Sequence, residues 1–256
     1  MKYAIVMAAG KGKRMKSELP KVLYPVLERP MIEYVLDVLE QAEIDKIIVV
    51  VGYRSDLVRN HLLAMPLAQR RNLEFVEQTE QLGTGHAVMT CHEALKQHTG
   101  PVMVVAGDTP MLQVDSIRQL FTAYQSEPMP SCVLGTAHKD NPEGLGRILR
   151  DESGEFRGII EEKDASPEQR KLTEVNMSYY VFHTPDLLSA LSHLRTDNAQ
   201  KEYYLTDVPA IMQSQGKRVI ALPVLMPIET LGINTVEEAE MVEEAMRRRL
   251  ARESSL

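Results

Sequence analysis

The chain has 256 residues, 44% of them hydrophobic and 25% charged, an ordinary globular composition that excludes disorder, collagen and coiled coil as its main state. Acidic residues number 36 against 29 basic, a net charge of −7, and proteins that neutralise phosphate backbone are usually basic, so general nucleic-acid binding is disfavoured. The cysteines Cys91 and Cys132 can build neither a metal cluster alone nor a disulfide framework, which points to a reducing, cytoplasmic setting. No apolar run reaches ~18 residues, so no membrane span is expected. The apolar start up to Gly10 is too short for a signal peptide.

In chain order, Tyr3–Met7, Ile47–Val51 and Val102–Ala106 are short runs of Val, Ile and Met. Residues apolar at consecutive positions fit strands buried on both faces, as in a parallel sheet. Between them, Met31, Val35, Val38 and Leu39, and then Ile117, Leu120, Phe121 and Tyr124, place apolar groups on one face of a helix. This alternation over residues 1–125 predicts an open α/β sheet. From 126 onward the character changes. Ser131–Ala137, Gly146–Leu149, Phe156–Ile160 and Met177–Phe182 read as strands with few helices between them. Helices are expected over Pro185–Leu194 and Asp207–Gln215, and a strand over Arg218–Val224. The tail, 235–256, is expected to be helical from Thr235 to Arg252, opened by a Thr235/Glu238 capping box. No repeat or linker interrupts the pattern. One continuous domain over 1–256 is therefore expected, with a mixed-sheet region over 126–234.

The first strand ends in Ala8-Ala9-Gly10-Lys11-Gly12-Lys13-Arg14-Met15-Lys16. A glycine-rich loop at the carboxyl end of a buried strand can hold phosphate, because bare backbone N–H groups approach the anion. Met15 stands where a P-loop or a dinucleotide fingerprint needs glycine. What remains is a glycine turn with Lys11, Lys13, Arg14, Lys16 and Lys21, a set of cations suited to a polyphosphate or, alternatively, a solvated basic loop. Asp108 follows the third buried run in Gly107-Asp108-Thr109-Pro110, where it is either a Mg²⁺ ligand beside that loop or a turn residue before Pro110. Gln81-Leu82-Gly83-Thr84-Gly85-His86-Ala87 opens a further helix whose first N–H groups can read a base edge or a phosphate, or simply start a helix. Gln78 can both donate and accept, as an imide edge such as uracil requires. His86 lacks the neighbours of a general base, and Cys91 with His92 cannot make a zinc site alone. Glu161-Glu162-Lys163-Asp164 is either a solvated turn or a carboxylate that accepts from sugar hydroxyls. Asn176 and Asn234 sit among apolar residues and need partners if buried; Asn234 is also a candidate helix cap.

Taken in order, these stretches resemble the nucleotidyltransferases that make sugar nucleotides, and within them the uridyltransferase half of bifunctional N-acetylglucosamine-1-phosphate uridyltransferases. The resemblance runs from residue 4 to about residue 236. It is carried by Met7-Ala8-Ala9-Gly10-Lys11-Gly12 with Arg14 and Met15, by Leu19-Pro20-Lys21-Val22-Leu23, by Gln78, and by the segments at 81–87 and 107–110. Gly144-Leu145-Gly146-Arg147-Ile148, Glu161 with Lys163-Asp164-Ala165, Glu202-Tyr203-Tyr204-Leu205-Thr206-Asp207 and Gly232-Ile233-Asn234 complete it. It is the ordered set that carries the likeness, not any one stretch.

The resemblance implies a Rossmann-like nucleotidyltransferase fold of the glycosyltransferase-A-like type, with a central, mostly parallel mixed sheet flanked by helices. It implies UTP and a sugar 1-phosphate, foremost N-acetylglucosamine 1-phosphate, as substrates, with Mg²⁺ as cofactor. Met7, Ala8, Ala9 and Gly10 become the nucleotide cradle, Gln78, Gly83 and Thr84 the uracil readers, and Arg14 and Lys21 the phosphate-binding cations. Asp108 and Asn234 become the magnesium ligands, and Gly146, Glu161 and Asn176 the sugar contacts. Four departures stand out. The sequence continues for one helix after 234, with no hexapeptide-repeat β-helix, so neither acetyltransfer nor that domain's trimer contacts are expected. Lys13 replaces a small Thr or Ser, Leu145 replaces an aromatic, and Met177-Ser178 replaces a pair ending in Gly. Another acceptor on the same fold, or a non-catalytic sugar-nucleotide sensor, are the rival readings; the intact Lys21, Asp108 and Asn234 speak against the sensor.

Overall fold

The computed structural model describes residues 1–15, 17–66 and 72–253. In chain order it contains β1 (Tyr3–Ala8), a short β2–β3 hairpin (Pro25–Val26 and Arg29–Pro30), α1 (Met31–Gln41), β4 (Lys46–Val51), α2 (Ser55–Ala64) and β5 (Asn72–Glu77). There follow α3 (Thr84–Met89), α4 (His92–Leu95), β6 (Pro101–Ala106), α5 (Val114–Tyr124), β7 (Cys132–His138), β8 (Gly146–Arg150) and β9 (Phe156–Ile160). The chain closes with β10 (Glu174–His183), α6 (Thr184–Leu191), α7 (Val208–Ser214), β11 (Val219–Leu222) and α8 (Val236–Glu253).

The main sheet runs β11-β7-β10-β6-β1-β4-β5, with β8 paired to β10 and β9 to β8. Strands β6, β1, β4 and β5 are parallel neighbours. Strand β10 enters antiparallel to both β6 and β7, while β11 is parallel to β7. The sheet is therefore a mostly parallel, mixed one with helices about it, as the sequence pattern predicts.

The continuous apolar runs have a direct cause. Ala4, Val6 and Ala8 of β1 pack into one buried cluster, together with Ile47, Val49 and Val51 of β4 and Met103 and Val105 of β6. The alternate residues Ile5, Ile48, Val50, Val102 and Val104 pack into a second cluster. A strand whose side chains alternate between faces must be apolar at every position when both faces are covered. Each such Val or Ile contributes roughly 1.5–3 kcal/mol through burial. Two elements between Val51 and Thr84, α2 and β5, carry no pattern that the sequence reading registered.

The tail is fixed by its own cluster. Met15, Val26, Met31, Met111, Ile233, Ala239, Val242 and Met246 are buried together, so α8 lies against the hairpin and the start of α1. The expected capping box is present: Thr235 Oγ1 accepts from Glu238 N–H and Glu238 Oε2 accepts from Thr235 N–H, both at 3.2 Å. Thr235 therefore caps this helix. The alternative of Asn234 as its cap is not realised, which frees the Asn234 side chain for the crevice. Among the described residues no helix is long and apolar enough to cross a membrane. Both cysteines are buried and unpaired.

Candidate active site

The carboxyl ends of β1, β4, β5 and β6 open onto one cleft of about 690 Å³. Its lining includes Gly10, Lys11, Arg14, Lys21, Gln78, Asp108 and Asn234 from the sequence reading, and Gly52, Tyr53 and Gln81, to which the sequence assigned no role. The fold places it at the carboxyl ends of parallel strands, where open α/β sheets bind ligands.

The glycine turn after β1 is shaped by Gly12, which has φ +66°; a Cβ there would lie 2.7 Å from Lys21 Cβ. Only glycine lets the loop close over the Lys21 stem. Arg14 follows on a short 3₁₀ turn, exposed to the cleft. Lys16 and the Lys13 side chain lie outside the described residues. The cradle residues behind the loop already use part of their backbone. Met7 C=O accepts from Gly107 N–H at 2.9 Å, and Ala9 C=O accepts from Tyr53 N–H at 3.1 Å. Ala8 and Ala9 are buried.

Lys21 is drawn into the cleft by two oxygens. Its ammonium donates to Asn234 Oδ1 at 2.8 Å and is ion-paired with Asp108 Oδ2. Asp108 and Asn234, from the loop after β6 and the approach to α8, thus converge on one cation. Hard oxygen donors meeting on a positive charge are the donor set Mg²⁺ takes, with phosphates and water completing its shell. Among the described residues no group of three or more His, Cys, Asp and Glu forms a metal site independent of a ligand.

Gln78 caps the other end of the cleft and is 3% exposed. Its amide Nε2 donates to Gly83 C=O at 3.1 Å. The sequence reading had Gln78 donating and accepting toward a ligand. One amide hydrogen is committed to Gly83 C=O, and His86 Nδ1 lies 3.1 Å from the same nitrogen. Gly83 opens α3 at φ +106°, and a Cβ there would come within 2.6 Å of Tyr203 O.

The segment Tyr203–Thr206 ties this end to the mixed-sheet half. Gly85 N–H donates to Tyr203 O at 2.7 Å, Tyr203 N–H to Leu82 O at 2.8 Å, and Leu205 N–H to Thr84 Oγ1 at 3.1 Å. Thr206 Oγ1 then donates to Glu161 Oε1 at 2.9 Å. Glu161 is thus not a residue of a solvated turn. Burial holds its carboxyl above the usual range, Thr206 opposes the shift, and Asp207, Asp164 and Glu202 add to it. Glu162, its neighbour, instead pairs with buried Arg147 at 2.7 Å. Gly146 and Asn176 are cross-strand partners of β8 and β10. Asn176 Oδ1 accepts from Ser178 N–H at 3.2 Å, across the irregularity that β10 makes between Asn176 and Tyr179. Around them Asp164 Oδ2 and the hydroxyls of Tyr180 and Tyr204 are buried without a partner at good hydrogen-bond geometry. Buried polar groups are seldom left so, and the two hydroxyls lie near Asn176, Glu161 and Asp164. Gly146, Glu161 and Asn176 are not in the lining of the main cleft; the Tyr203–Thr206 segment is the physical link between the two groups.

Comparison with known proteins agrees with this geometry. The family model of the MobA-like NTP transferase domain matches residues 4–211. A protein of Enterococcus faecalis named bifunctional protein GlmU is 40% identical over 249 residues, 97% of this chain and 53% of that protein. Its namesake in Streptococcus gordonii is 42% identical over 248 residues, 97% of this chain and 52% of that protein. The chain thus spans about half the length of the curated relatives it matches. A UDP-glucose pyrophosphorylase solved in complex with UDP-glucose superposes with a TM-score of 0.80 at 20% identity, covering 97% of this chain and 99% of that one. An apo UDP-glucose pyrophosphorylase gives 0.78 at 17% identity, so the shared feature with both is the fold. The glycine turn, the Lys21–Asp108–Asn234 contact and the matched span agree: this chain is a nucleotidyltransferase, a member of the MobA-like NTP transferase domain family.

Proposed function

We propose that the chain transfers a uridylyl group from UTP to a sugar 1-phosphate, with N-acetylglucosamine 1-phosphate as the preferred acceptor, and releases pyrophosphate. The observation that carries this reading is the convergence of Asp108 and Asn234 on the Lys21 ammonium in a cleft bounded by a glycine loop and by Gln78. A non-catalytic sensor has no need of that cation centre. The name of the structural neighbours supports a UDP-sugar product, and the buried polar corner around Glu161 and Asn176 supports a polyhydroxy acceptor. We take 1–256 as one domain because its main sheet joins strands of both halves, with 1–125 holding the nucleotide and 126–234 the sugar. A cytoplasmic setting fits two buried free thiols.

The chemistry asks little of proton transfer. The sugar phosphate, whose second pKa is about 6, is a dianion at pH 7. One of its oxygens attacks the α-phosphorus of UTP in line; the new O–Pα bond forms as the bond to the bridging oxygen of pyrophosphate breaks. The obstacle is the approach of two anions. Lys21 and Arg14 hold phosphate charge and orient the reactants, while the loop of Ala8, Ala9 and Gly10 keeps the backbone close. Asp108 and Asn234 would hold a divalent cation, which when bound neutralises polyphosphate charge. Gln78 with the Gly83–Thr84 turn faces the base, and Gly146, Glu161 and Asn176 the sugar.

The test is pyrophosphate release across four nucleoside triphosphates and several hexose 1-phosphates, with and without Mg²⁺. UTP with N-acetylglucosamine 1-phosphate should give the highest kcat/KM. No release with any pair overturns the activity; a preference for glucose 1-phosphate overturns the choice of acceptor.

A further inference from the structure

We propose that Glu229 is a positioning residue for Asp108 and Asn234: its buried carboxylate ties the loop that carries Asp108 to the turn that leads into Asn234, and so fixes how far apart the two oxygen donors stand. The inference rests on the reading of Asp108 and Asn234 as holding a divalent cation and adds a residue to it.

Glu229 lies in the short turn Pro227–Thr230 and is 1% exposed. Its Oε1 accepts from Gln113 N–H at 3.1 Å, and its Oε2 accepts from the Ser116 hydroxyl at 2.6 Å and from Met226 N–H at 2.8 Å. Ser116 is itself buried. One carboxylate thus serves donors of its own turn and donors 116 and 113 positions away. Gln113 stands five positions after Asp108, and Glu229 five before Asn234. Burial raises the Glu229 carboxyl above its usual range, and the bonds from Ser116, Met226 and Gln113, with the charge of Arg249, oppose the shift.

Helix α5 starts after Gln113 without a capping side chain of its own. A Ser or Asp at that position would cap it locally. Here an acceptor arrives instead from the segment that leads to Asn234, so satisfying the start of α5 and docking that segment are one event. Adhesion between the two segments does not need it. Met111 and Ile233 are already buried in one cluster, with Ile228 and Leu231 packed against it. Apolar packing is non-directional and sets no register, whereas hydrogen bonds to a charged oxygen have a narrow geometry. A buried carboxylate costs desolvation energy, and what it adds here is register. Register matters at this place because Asp108 Oδ2 and Asn234 Oδ1 meet on the single Lys21 ammonium. A slip of about 1 Å between the two segments would take one oxygen out of reach of a shared cation. Glu229 is not among the cleft-lining residues, so it acts through Asp108 and Asn234.

The experiment measures the dissociation constant of UTP by calorimetry, with no acceptor present, in EDTA and in excess Mg²⁺. The proteins are the wild type, Glu229→Gln, Ser116→Ala, Asp108→Asn and Leu187→Ala. Gln offers one acceptor oxygen where Glu offers two, so it can serve Gln113 N–H or Met226 N–H but not both. Leu187 is buried in the second cluster, and its truncation lowers stability without touching the tie. We expect Glu229→Gln to weaken UTP binding about tenfold in Mg²⁺, the order of one hydrogen bond to a charged group, and to leave it unmoved in EDTA. Ser116→Ala should shift the Mg²⁺ value in the same direction by a smaller factor, and it carries the test if circular dichroism shows Glu229→Gln unfolded. Leu187→Ala should melt lower and bind UTP as the wild type does in both conditions. Lower melting with unchanged UTP binding in Mg²⁺ in the Glu229 and Ser116 variants overturns the inference, as does an equal weakening in EDTA or in Leu187→Ala. A response to Asp108→Asn with none to Glu229→Gln or Ser116→Ala overturns this inference alone. If Asp108→Asn leaves the Mg²⁺ value unchanged, the metal reading falls and this inference with it.

Discussion

The Lys21 ammonium lies 2.8 Å from Asn234 Oδ1, although 213 positions separate the two residues. The loop after β1 and the approach to the last helix meet there, and Asp108 joins them from the loop after β6. The arrangement pairs the Asp108 carboxylate with a cation at the mouth of the glycine loop. Lys21→Ala is therefore expected to cut kcat/KM by about 10²–10³, the worth of one positioned contact to developing charge. The measurement is pyrophosphate release under UTP saturation and below it. A variant that raised only KM for the sugar phosphate would make Lys21 a sugar-side contact and refute its placement at the polyphosphate.

Asp108→Asn removes one charge and almost no volume at a quarter-exposed side chain, so thermal stability should change little. Turnover should fall by about two orders of magnitude or more, since a neutral amide is a poor partner for a hard divalent cation. The Mg²⁺ concentration at half-maximal rate should rise. Near-wild-type turnover with an unchanged Mg²⁺ titration would remove Asp108 from the metal site.

What the sequence made legible follows from burial. Strands β1, β4 and β6 are covered on both faces and so are apolar at every position; α1 and α5 are covered on one and show the helical period. Strand β5, Asn72–Glu77, alternates apolar residues with Glu74 and Glu77 and is covered less completely, so it left no run to read. Helix α2 buries only Val58 and Leu62 and starts after Arg54 at φ +47°, without a capping side chain. In the site, the glycine turn and Asp108 announce themselves through local chemistry. The tie from Thr84 through Leu205 and Thr206 to Glu161 joins segments 45 and 121 positions apart and has no local signature. Tyr53 lines the cleft through its place after β4, which no residue pattern marks.

Glu161→Gln should separate stability from activity. The Glu161 carboxyl is raised by burial first, lowered by the Thr206 hydrogen bond, and raised again by Asp207, Asp164 and Glu202. A carboxyl whose folded value lies above its unfolded value of about 4.3 destabilises the fold at pH above the folded value and not below the unfolded one. The amide keeps an oxygen for Thr206 and carries no charge. The variant should therefore melt higher than the wild type at pH 8, and the advantage should shrink as pH falls and vanish below about pH 4. KM for the sugar phosphate should rise by roughly tenfold, because a charged acceptor is lost from the sugar corner. Melting curves from pH 4 to 8 check the first part. A lower melting temperature at pH 8 would show that the carboxylate is needed by the fold.

Ser178 stands where the family resemblance implies glycine, and its backbone is at φ +60°. The left-handed region costs a non-glycine residue about 1–2 kcal/mol. Glycine's greater freedom in the unfolded chain offsets about 0.5–1 kcal/mol of that. Ser178→Gly should thus stabilise by about 0.5–1 kcal/mol, raising the melting temperature by about 1–4 °C for a chain of this size. The hydrogen bond to Asn176 Oδ1 comes from the backbone N–H of residue 178, so it survives the change. The effect on function comes from the side chain. Ser178 lies two residues from Asn176, and Leu145, partly buried against the core, precedes Gly146. Both departures therefore border the proposed sugar contacts Gly146 and Asn176. A missing or added apolar contact changes discrimination by about 10–200-fold, so sugar choice should shift by such factors while UTP remains the nucleotide. The check is kcat/KM for N-acetylglucosamine, glucosamine and glucose 1-phosphates in the wild type and in Leu145→Tyr with Ser178→Gly. The double variant should discriminate more sharply in favour of N-acetylglucosamine 1-phosphate. Identical ratios in the two proteins would mean that these positions do not set the choice of sugar, and a changed ratio of UTP to CTP would mean that they act on the nucleotide instead.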